Sequence, residues 1–171
     1  MCIRDSSRIA DLSGGGLSAV RVVTGRHLDG HIQHIAATYK MSWKNHATNT
    51  HGLCSAIDLA SGQLSKAWSY RPVCSGYDVH PDTRALVCGR VIPDWQHIIA
   101  LAQQAHSLLS GFVFVGWDIA LTSDGVILLE ANSHWDVSSM QRPQRQPLAQ
   151  TEFGKICIEQ LGEGLAAAFV D

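Results

Sequence analysis

The chain of 171 residues is 46% hydrophobic, which is enough to build one domain around a buried core. It carries 13 basic and 15 acidic residues for a formal net charge of −2, and it has no basic block that could follow a nucleic-acid backbone. No apolar run approaches the roughly 20 residues that cross a bilayer. The composition therefore argues against nucleic-acid partners and membrane spans, and it predicts a soluble, cytoplasmic protein.

The N-terminal segment differs from the sequence that follows it. Residues 1–7 fit neither a strand nor the start of a helix, and glycines occupy positions 14–16 shortly afterwards. We therefore interpret residues 1–16 as a spurious leader on a truncated gene fragment, and we place the domain at residues 17–171.

The first half of the domain carries the signals of two antiparallel hairpins. Turn residues at Asp29-Gly30 and at 61–63 each separate two β-branched or alternating runs. Residues 78–90 are rich in turn formers and need not be regular. The four predicted strands cover residues 19–24, 32–39, 53–59 and 64–68.

A helical pattern begins after Pro93. Asp94 is in position to be the N-cap and Gly111 to end the helix, which predicts a packing helix without a chemical role. A weaker helix, interrupted by glycines, is predicted within residues 151–170, and residues 138–150 are predicted to be a loop because they are rich in Gln, Arg and Pro. The helix after Pro93 is indicated by apolar residues that recur at helical spacing: Ile98, Leu101, Ala102, Ala105, Leu108 and Leu109.

Cysteines and histidines offer no zinc site. The histidines at 27, 31 and 34 straddle a turn without zinc-ligand spacing, and we expect them to be mostly exposed. His80, before Pro81, fits either a turn-capping role or a substrate contact. The cysteines are odd in number and widely spaced, which indicates buried, reduced thiols; they are Cys2, Cys54, Cys74, Cys88 and Cys157.

Two strongly apolar runs, residues 112–121 and 126–131, predict a third hairpin. If residues 123–125 form a three-residue loop with the glycine in the left-handed conformation, Asp118 pairs with Glu130 across the hairpin. Directly opposed residues share a face of a sheet, so these two carboxylates project together.

Asn132 joins the two acids, because it lies two residues beyond Glu130 on the same face. Opposed carboxylates repel unless a cation stands between them, and oxygen ligands of this kind suit Mg²⁺, which also takes substrate phosphates. The pattern therefore favours a metal–nucleotide site over a solvated face with ordinary surface acids. The opposite face is predicted to hold Trp117, Ile119, Leu121, Ile127, Leu129 and Ala131.

The segment GWDIALTSDGVILLEANS, residues 116–133, resembles the metal-binding hairpin of the ATP-grasp superfamily. LSAVRVVT at 17–24 resembles a strand of that fold with a phosphate-side arginine. The segments SAIDLASGQL at 55–64, HPDT at 80–83 and IPDW at 92–95 resemble the sugar-transfer-associated subgroup. The resemblance implies an α+β fold, the ATP-grasp C-terminal subdomain, with an antiparallel sheet packed with helices.

The resemblance also implies roles for individual residues. Asp118, Glu130 and Asn132 become ligands of Mg²⁺ (or Mn²⁺) that bridges the phosphates of ATP. Arg21 becomes a contact of the nucleotide phosphates or the substrate and a candidate catalytic residue. Lys40 could act in the same way, with a surface charge at a strand end as the alternative. Either Asn45 or Asn49 is expected to face the nucleotide.

Enzymes of this superfamily activate a carboxylate with ATP, and an amine or similar nucleophile attacks the acylphosphate. The resemblance therefore implies small-molecule substrates and a possible role in polysaccharide or cell-surface sugar metabolism. It does not specify an oligomeric state. Elements that hold adenine in these enzymes precede the residues matched here, so this fragment alone is expected to be inactive. Two alternatives remain: a degenerate, non-catalytic module that binds a nucleotide or a partner, and a structural domain without a ligand.

Overall fold

The computed structural model describes residues 5–13, 17–44, 52–69 and 76–162. Six strands within these ranges form one antiparallel sheet in the order β4-β3-β2-β1-β5-β6. The three predicted hairpins are confirmed, and residues 78–90 are irregular, as expected. The strands are β1 (Ala19–Arg26), β2 (Ile32–Met41), β3 (Leu53–Ile57), β4 (Leu64–Ser69), β5 (Phe114–Thr122) and β6 (Gly125–Asn132).

Helices cover both faces of the sheet: α1 (Trp95–Ser107), α2 (Val137–Gln144) and α3 (Glu152–Leu161). Because side chains alternate along a strand, Val22 of β1 enters the main core with α1, whereas Val23 enters a smaller core with α2 and α3. This antiparallel sheet packed with helices confirms the predicted α+β class. None of the described helices is long and apolar enough to span a membrane.

Residues 5–13 of the predicted leader pack onto the main core. Ile9 and Leu12 are fully buried there, and the Ser6 amide donates a hydrogen bond of 3.0 Å to the Leu121 carbonyl at the end of β5. The two apolar side chains are three residues apart and lie on the same side of a short 3-10 turn. This part of the chain therefore contributes to the domain.

Helix α1 begins where the sequence predicts but is capped differently. Asp94 occupies the N-cap position with φ 55° and its side chain caps no amide; this left-handed backbone differs from the extended conformation that is typical of N-caps. Its carboxylate instead lies 2.9 Å from the guanidinium of Arg8. The helix ends at Ser107, before the predicted Gly111, where Arg26 donates a 2.7 Å hydrogen bond to the His106 carbonyl.

The prediction of a loop over residues 138–150 is wrong, because most of α2 and a 3-10 turn at Leu148–Gln150 lie there. The Asp136 carboxylate accepts a 3.1 Å hydrogen bond from the Ser138 amide at the start of α2. Met140 is completely buried against the sheet. Packing of this side chain outweighs the poor helix propensity of the segment, and Pro143 lies in the last turn of α2.

The second predicted helix is confirmed as α3, within the described residues up to 162. The Thr151 side chain accepts a hydrogen bond of 3.3 Å from the Phe153 amide and caps the first turn. Gly154 is needed for packing, because a Cβ atom there would lie 2.0 Å from the Ala149 carbonyl oxygen. The helix ends at Leu161, and its C-cap Gly162 has a φ of 75°, which favours glycine.

Candidate functional site

The β5–β6 hairpin pairs Asp118 with Glu130, as predicted, but by a different route. Thr122 pairs with Gly125, so the loop has two residues instead of the predicted three. The shorter loop shifts the register by one residue, and an irregularity after Asp118 shifts it back and leaves Leu129 without a partner on β5. The shorter loop and the irregularity shift the register in opposite directions, so Asp118 and Glu130 are paired as predicted.

The bulge changes which side chains of β6 face the main core. The predicted β5 members of the apolar face, Trp117, Ile119 and Leu121, are buried in that core. On β6 the prediction is wrong for Ile127 and Leu129, whereas Ala131 pairs with Trp117 and shares its side of the sheet. Because the register slips by one residue over the first half of the hairpin, Val126 and Leu128 pack against the core instead.

Asp118 is bound by an arginine on the neighbouring strand. Because β1 lies beside β5, Arg21 is the cross-strand partner of Asp118. The Arg21 Nε donates a hydrogen bond of 2.6 Å to Oδ1 of Asp118, and an Arg21 Nη donates one of 2.5 Å to Oδ2. Both side chains are only 10% exposed, so this is a largely desolvated, two-point ion pair.

Lys40 on β2 extends the charge cluster, with its Nζ 3.5 Å from Oδ1 of Asp118. Burial lowers the pKa of the Lys40 ammonium from its usual 10.5, although the charge of Asp118 opposes that change. Burial also acts to raise the pKa of Asp118, but hydrogen bonds from Arg21 and the charge of Lys40 outweigh it. The pKa of this carboxyl therefore lies below its usual 3.8, and Asp118 is ionised at neutral pH.

Glu130 and Asn132 form the outer part of the cluster. The Glu130 Oε1 lies 3.8 Å from an Nη of Arg21, and the side chain is 59% exposed. Asn132 donates a hydrogen bond of 3.1 Å from Nδ2 to the same Oε1, which leaves its own amide oxygen for other partners. The five residues proposed from the sequence thus form one polar cluster, defined as Arg21, Lys40, Asp118, Glu130 and Asn132.

The polar cluster lies on the face of the sheet that α2 partly covers. Thr38, the β2 partner of Arg21, contacts Met140 of α2. Cys54, the β3 partner of Lys40, places its sulfur 3.9 Å from the Ser139 carbonyl. Helix α2 therefore closes one side of the cluster, while the exposed Glu130 leaves it open towards β6.

Trp135 is a neighbour of the site that the sequence analysis missed. A Cβ atom at Gly116 would lie 2.4 Å from Cβ of Trp135, so the indole packs directly on the backbone of β5. Asn132 pairs with that glycine at the end of β6, only three residues before Trp135. The available signal was the glycine within an apolar strand, which often marks a close approach of another group.

The donor set of the cluster fits a hard divalent cation bound together with phosphates. It offers two carboxylates and one amide oxygen, and Mg²⁺ commonly takes one or two carboxylates and completes its shell with water and substrate phosphates. Across the part of the chain that the structure describes, no three His, Cys, Asp or Glu residues converge as an all-protein metal cage. The cluster therefore suits a metal–nucleotide complex better than a free ion.

Among the histidines considered from the sequence, His27 and His80 make structural contacts. His27 lies 2.9 Å from a carboxylate oxygen of Glu159, His31 is exposed and His34 is partly buried. His80 is fully buried: its Nε2 lies 2.8 Å from the Ser42 carbonyl, and its Nδ1 accepts from backbone amides at 82 and 83. Its turn-capping role is confirmed. Asn45 and Asn49 lie outside the described residues.

The antiparallel sheet packed with helices is consistent with a protein of the ATP-grasp class. The chain belongs to the sugar-transfer associated ATP-grasp family, whose model matches residues 1–155. That match includes the N-terminal segment that packs on the main core. No curated protein and no solved structure matches the chain.

Proposed function

We propose that the chain is the Mg-ATP-binding part of an ATP-dependent ligase. ATP-grasp proteins are in general ATP-binding enzymes of the ligase type, and membership of that family supports the proposal. The observation that carries it is the polar cluster, in which two cations, two carboxylates and an amide from β1, β2, β5 and β6 meet on one sheet face.

Each residue of the cluster has a role in this proposal. Asp118, Glu130 and Asn132 hold Mg²⁺ or Mn²⁺, which when bound neutralises charge on the phosphates of ATP. Arg21 and Lys40 contact the phosphoryl oxygens and stabilise the charge that develops during transfer. Catalysis then rests on positioning and charge neutralisation, and it requires no side-chain nucleophile.

The substrates are proposed by class. A small-molecule carboxylate receives the terminal phosphoryl group of ATP and becomes an acylphosphate with release of ADP. An amine or a similar nucleophile then attacks the carbonyl carbon, and phosphate leaves. The family description names an association with sugar transfer, and we propose a place for this chemistry in polysaccharide or cell-surface sugar metabolism, in the cytoplasm where ATP is supplied.

A non-catalytic, nucleotide- or partner-binding module is the second candidate. The observation in its favour is that Arg21 engages both carboxylate oxygens of Asp118. ATP hydrolysis by the full-length parent protein, measured with a panel of carboxylates and amines, separates the two candidates. Turnover that depends on both substrates supports the ligase, whereas nucleotide binding without substrate-stimulated turnover supports the module.

The proposal is tested most directly by Glu130→Gln in the intact parent protein. We expect turnover at limiting Mg²⁺ to fall by roughly 100-fold, as for other groups that stabilise charge in a transition state. The melting temperature should hardly change, because the side chain is 59% exposed. Asp124→Asn removes an exposed carboxylate at the tip of the same hairpin and is the matched control. Parental activity of the Glu130 variant would show that Glu130 is not a ligand.

A further inference from the structure

The proposed metal ligand Asp118 already has a cation bound to it. Arg21 donates to both of its carboxylate oxygens, at 2.6 and 2.5 Å, and Lys40 lies 3.5 Å from Oδ1. A metal ion needs a lone pair of the same carboxylate at about 2.1 Å. Asp118 would therefore hold a guanidinium and a divalent ion side by side, with little water between them to screen their repulsion.

Glu130 leads to the same conflict independently. Its Oε1 is 3.8 Å from an Nη atom of Arg21. A Mg²⁺ ion bound to that oxygen at about 2.1 Å would thus lie within about 6 Å of the guanidinium, whatever its direction of approach. Both carboxylates that are proposed to bind the metal are close to Arg21, so the guanidinium would repel a metal ion held by either of them.

The charges of the polar cluster are balanced without a metal. Arg21 and Lys40 are positive, and Asp118 and Glu130 are negative. A bare divalent ion therefore meets little net attraction. A polyphosphate changes this balance, because its oxygens offer the displaced guanidinium and the lysine a new anionic partner.

We propose that the Arg21 guanidinium takes the place of the metal ion on Asp118, and that Asp118 exchanges the guanidinium for the divalent ion when a polyphosphate binds. This inference rests on the proposed function and adds an order of events to it. Metal alone binds weakly because it must break the Arg21–Asp118 pair. Metal and polyphosphate bind cooperatively because the phosphates receive Arg21 as the metal receives Asp118.

The exchange is observable in the unmodified 171-residue chain by NMR. The Nε–H signal of Arg21, assigned by its loss in Arg21→Gln, reports the bond to Asp118, and the side-chain amide of Asn132 reports metal at Glu130. On titration with Mg²⁺ we expect the Arg21 and Asn132 signals to shift with the same midpoint. The Arg21 signal should shift towards the position of a solvated guanidinium. Addition of magnesium pyrophosphate should complete the change at a lower metal concentration.

Two results would overturn the proposal in distinguishable ways. If the Asn132 amide responds to Mg²⁺ while the Arg21 signal stays in place, the metal site exists but Asp118 keeps its arginine, and the exchange is wrong. If neither signal responds to Mg²⁺ or to magnesium pyrophosphate, the metal site itself is wrong. The proposed function then falls together with the exchange.

Substitution of Arg21 gives a second test, because losing this residue of the site should raise the affinity for a metal ion. Arg21→Gln should bind Mn²⁺ alone about tenfold more tightly than the parent chain, a factor within the usual range of coupling between two ligands. Lys66→Gln removes one positive charge from an exposed pair with Asp78 and should leave Mn²⁺ affinity unchanged. Equal affinities in the parent and Arg21→Gln chains would contradict the exchange. If Arg21→Gln does not fold, Arg21→Lys, which keeps the charge but not the two-point bond, replaces it.

Discussion

At the scale of single residues, Asp118 determines the electrostatics of the site. It is the only member of the polar cluster that contacts both cations, and Arg21 would be left largely buried and unpaired without it. A buried charge that loses its partner destabilises a fold much more than the pair stabilises it. Asp118 is thus required for stability as well as proposed for function.

Asp118→Asn tests this requirement through its pH dependence. At neutral pH we expect the variant to lose about 3 to 5 kcal/mol of unfolding free energy, the usual effect of breaking a buried ion pair. The pKa of Asp118 is lower in the folded chain than its usual 3.8, so its contribution is present above that pH. The contribution is lost as the pH falls through the folded-state value.

Urea unfolding over a pH series provides the measurement for Asp118→Asn. The stability difference between parent and variant should shrink as the pH falls below 3.8. Asp78→Asn, which breaks the exposed pair with Lys66, serves as the control and should change stability little at any pH. A difference that does not depend on pH would mean that the loss arises from side-chain packing.

At the scale of elements, the packing of α2 and α3 determines how these helices cover the face of the sheet that carries the polar cluster. Met140 and Ile156 are both completely buried in the smaller core. Gly154 brings the start of α3 against the preceding 3-10 turn, where its missing Cβ leaves room for the Ala149 carbonyl. The helix therefore depends on a residue that helix propensity alone would disfavour.

Gly154→Ala is the element-scale prediction. Alanine has the higher helix propensity by roughly 1 kcal/mol, yet we expect the change to destabilise the chain by about 1 to 3 kcal/mol through overpacking. Gly111→Ala is the matched control, because its Cβ would meet nothing within 4 Å and it has no positive φ. Chemical denaturation of both variants measures the effect. A stabilised Gly154→Ala chain would show that α3 does not pack on Ala149 as described.

At the scale of the whole molecule, the described residues build one sheet with a core on each face. The polar cluster lies on the face that α2 partly covers, and it is open at the exposed Glu130. A cofactor site usually buries most of its ligand, often between domains. The chain is therefore expected to fold without forming a complete nucleotide pocket.

Calorimetric titration of Mg-ATP into the purified 171-residue chain tests that expectation. We predict a folded chain, with cooperative thermal unfolding, that binds Mg-ATP weakly and catalyses no ligation. The phosphates can reach the polar cluster, but the base remains in water and contributes little. Tight, saturable binding with one site per chain would show that the chain forms a complete pocket and that this prediction is wrong.

The sequence by itself determined the three hairpins, the helices α1 and α3, and the acids and amide of the cluster, whereas Arg21 and Lys40 were implied only by the family resemblance. These features depend on local signals: period-two alternation, turn residues, helical spacing and the acids that interrupt two apolar strands. The opposed Asp118 and Glu130 were also predicted, but through a three-residue loop and a regular ladder. The structure reaches the same pair through a shorter loop and the extra residue Leu129.

Only the tertiary structure decided how those elements meet. Strand β1 lies between β2 and β5, which are far apart in sequence, and this neighbourhood brings Arg21 and Lys40 to the carboxylate of Asp118. Burial of Met140 makes a helix of a segment whose composition indicates a loop. Local patterns specify the direction of a side chain within its own strand or helix. Which charge it faces across the sheet depends on contacts between distant residues, and these form only when the whole core is packed.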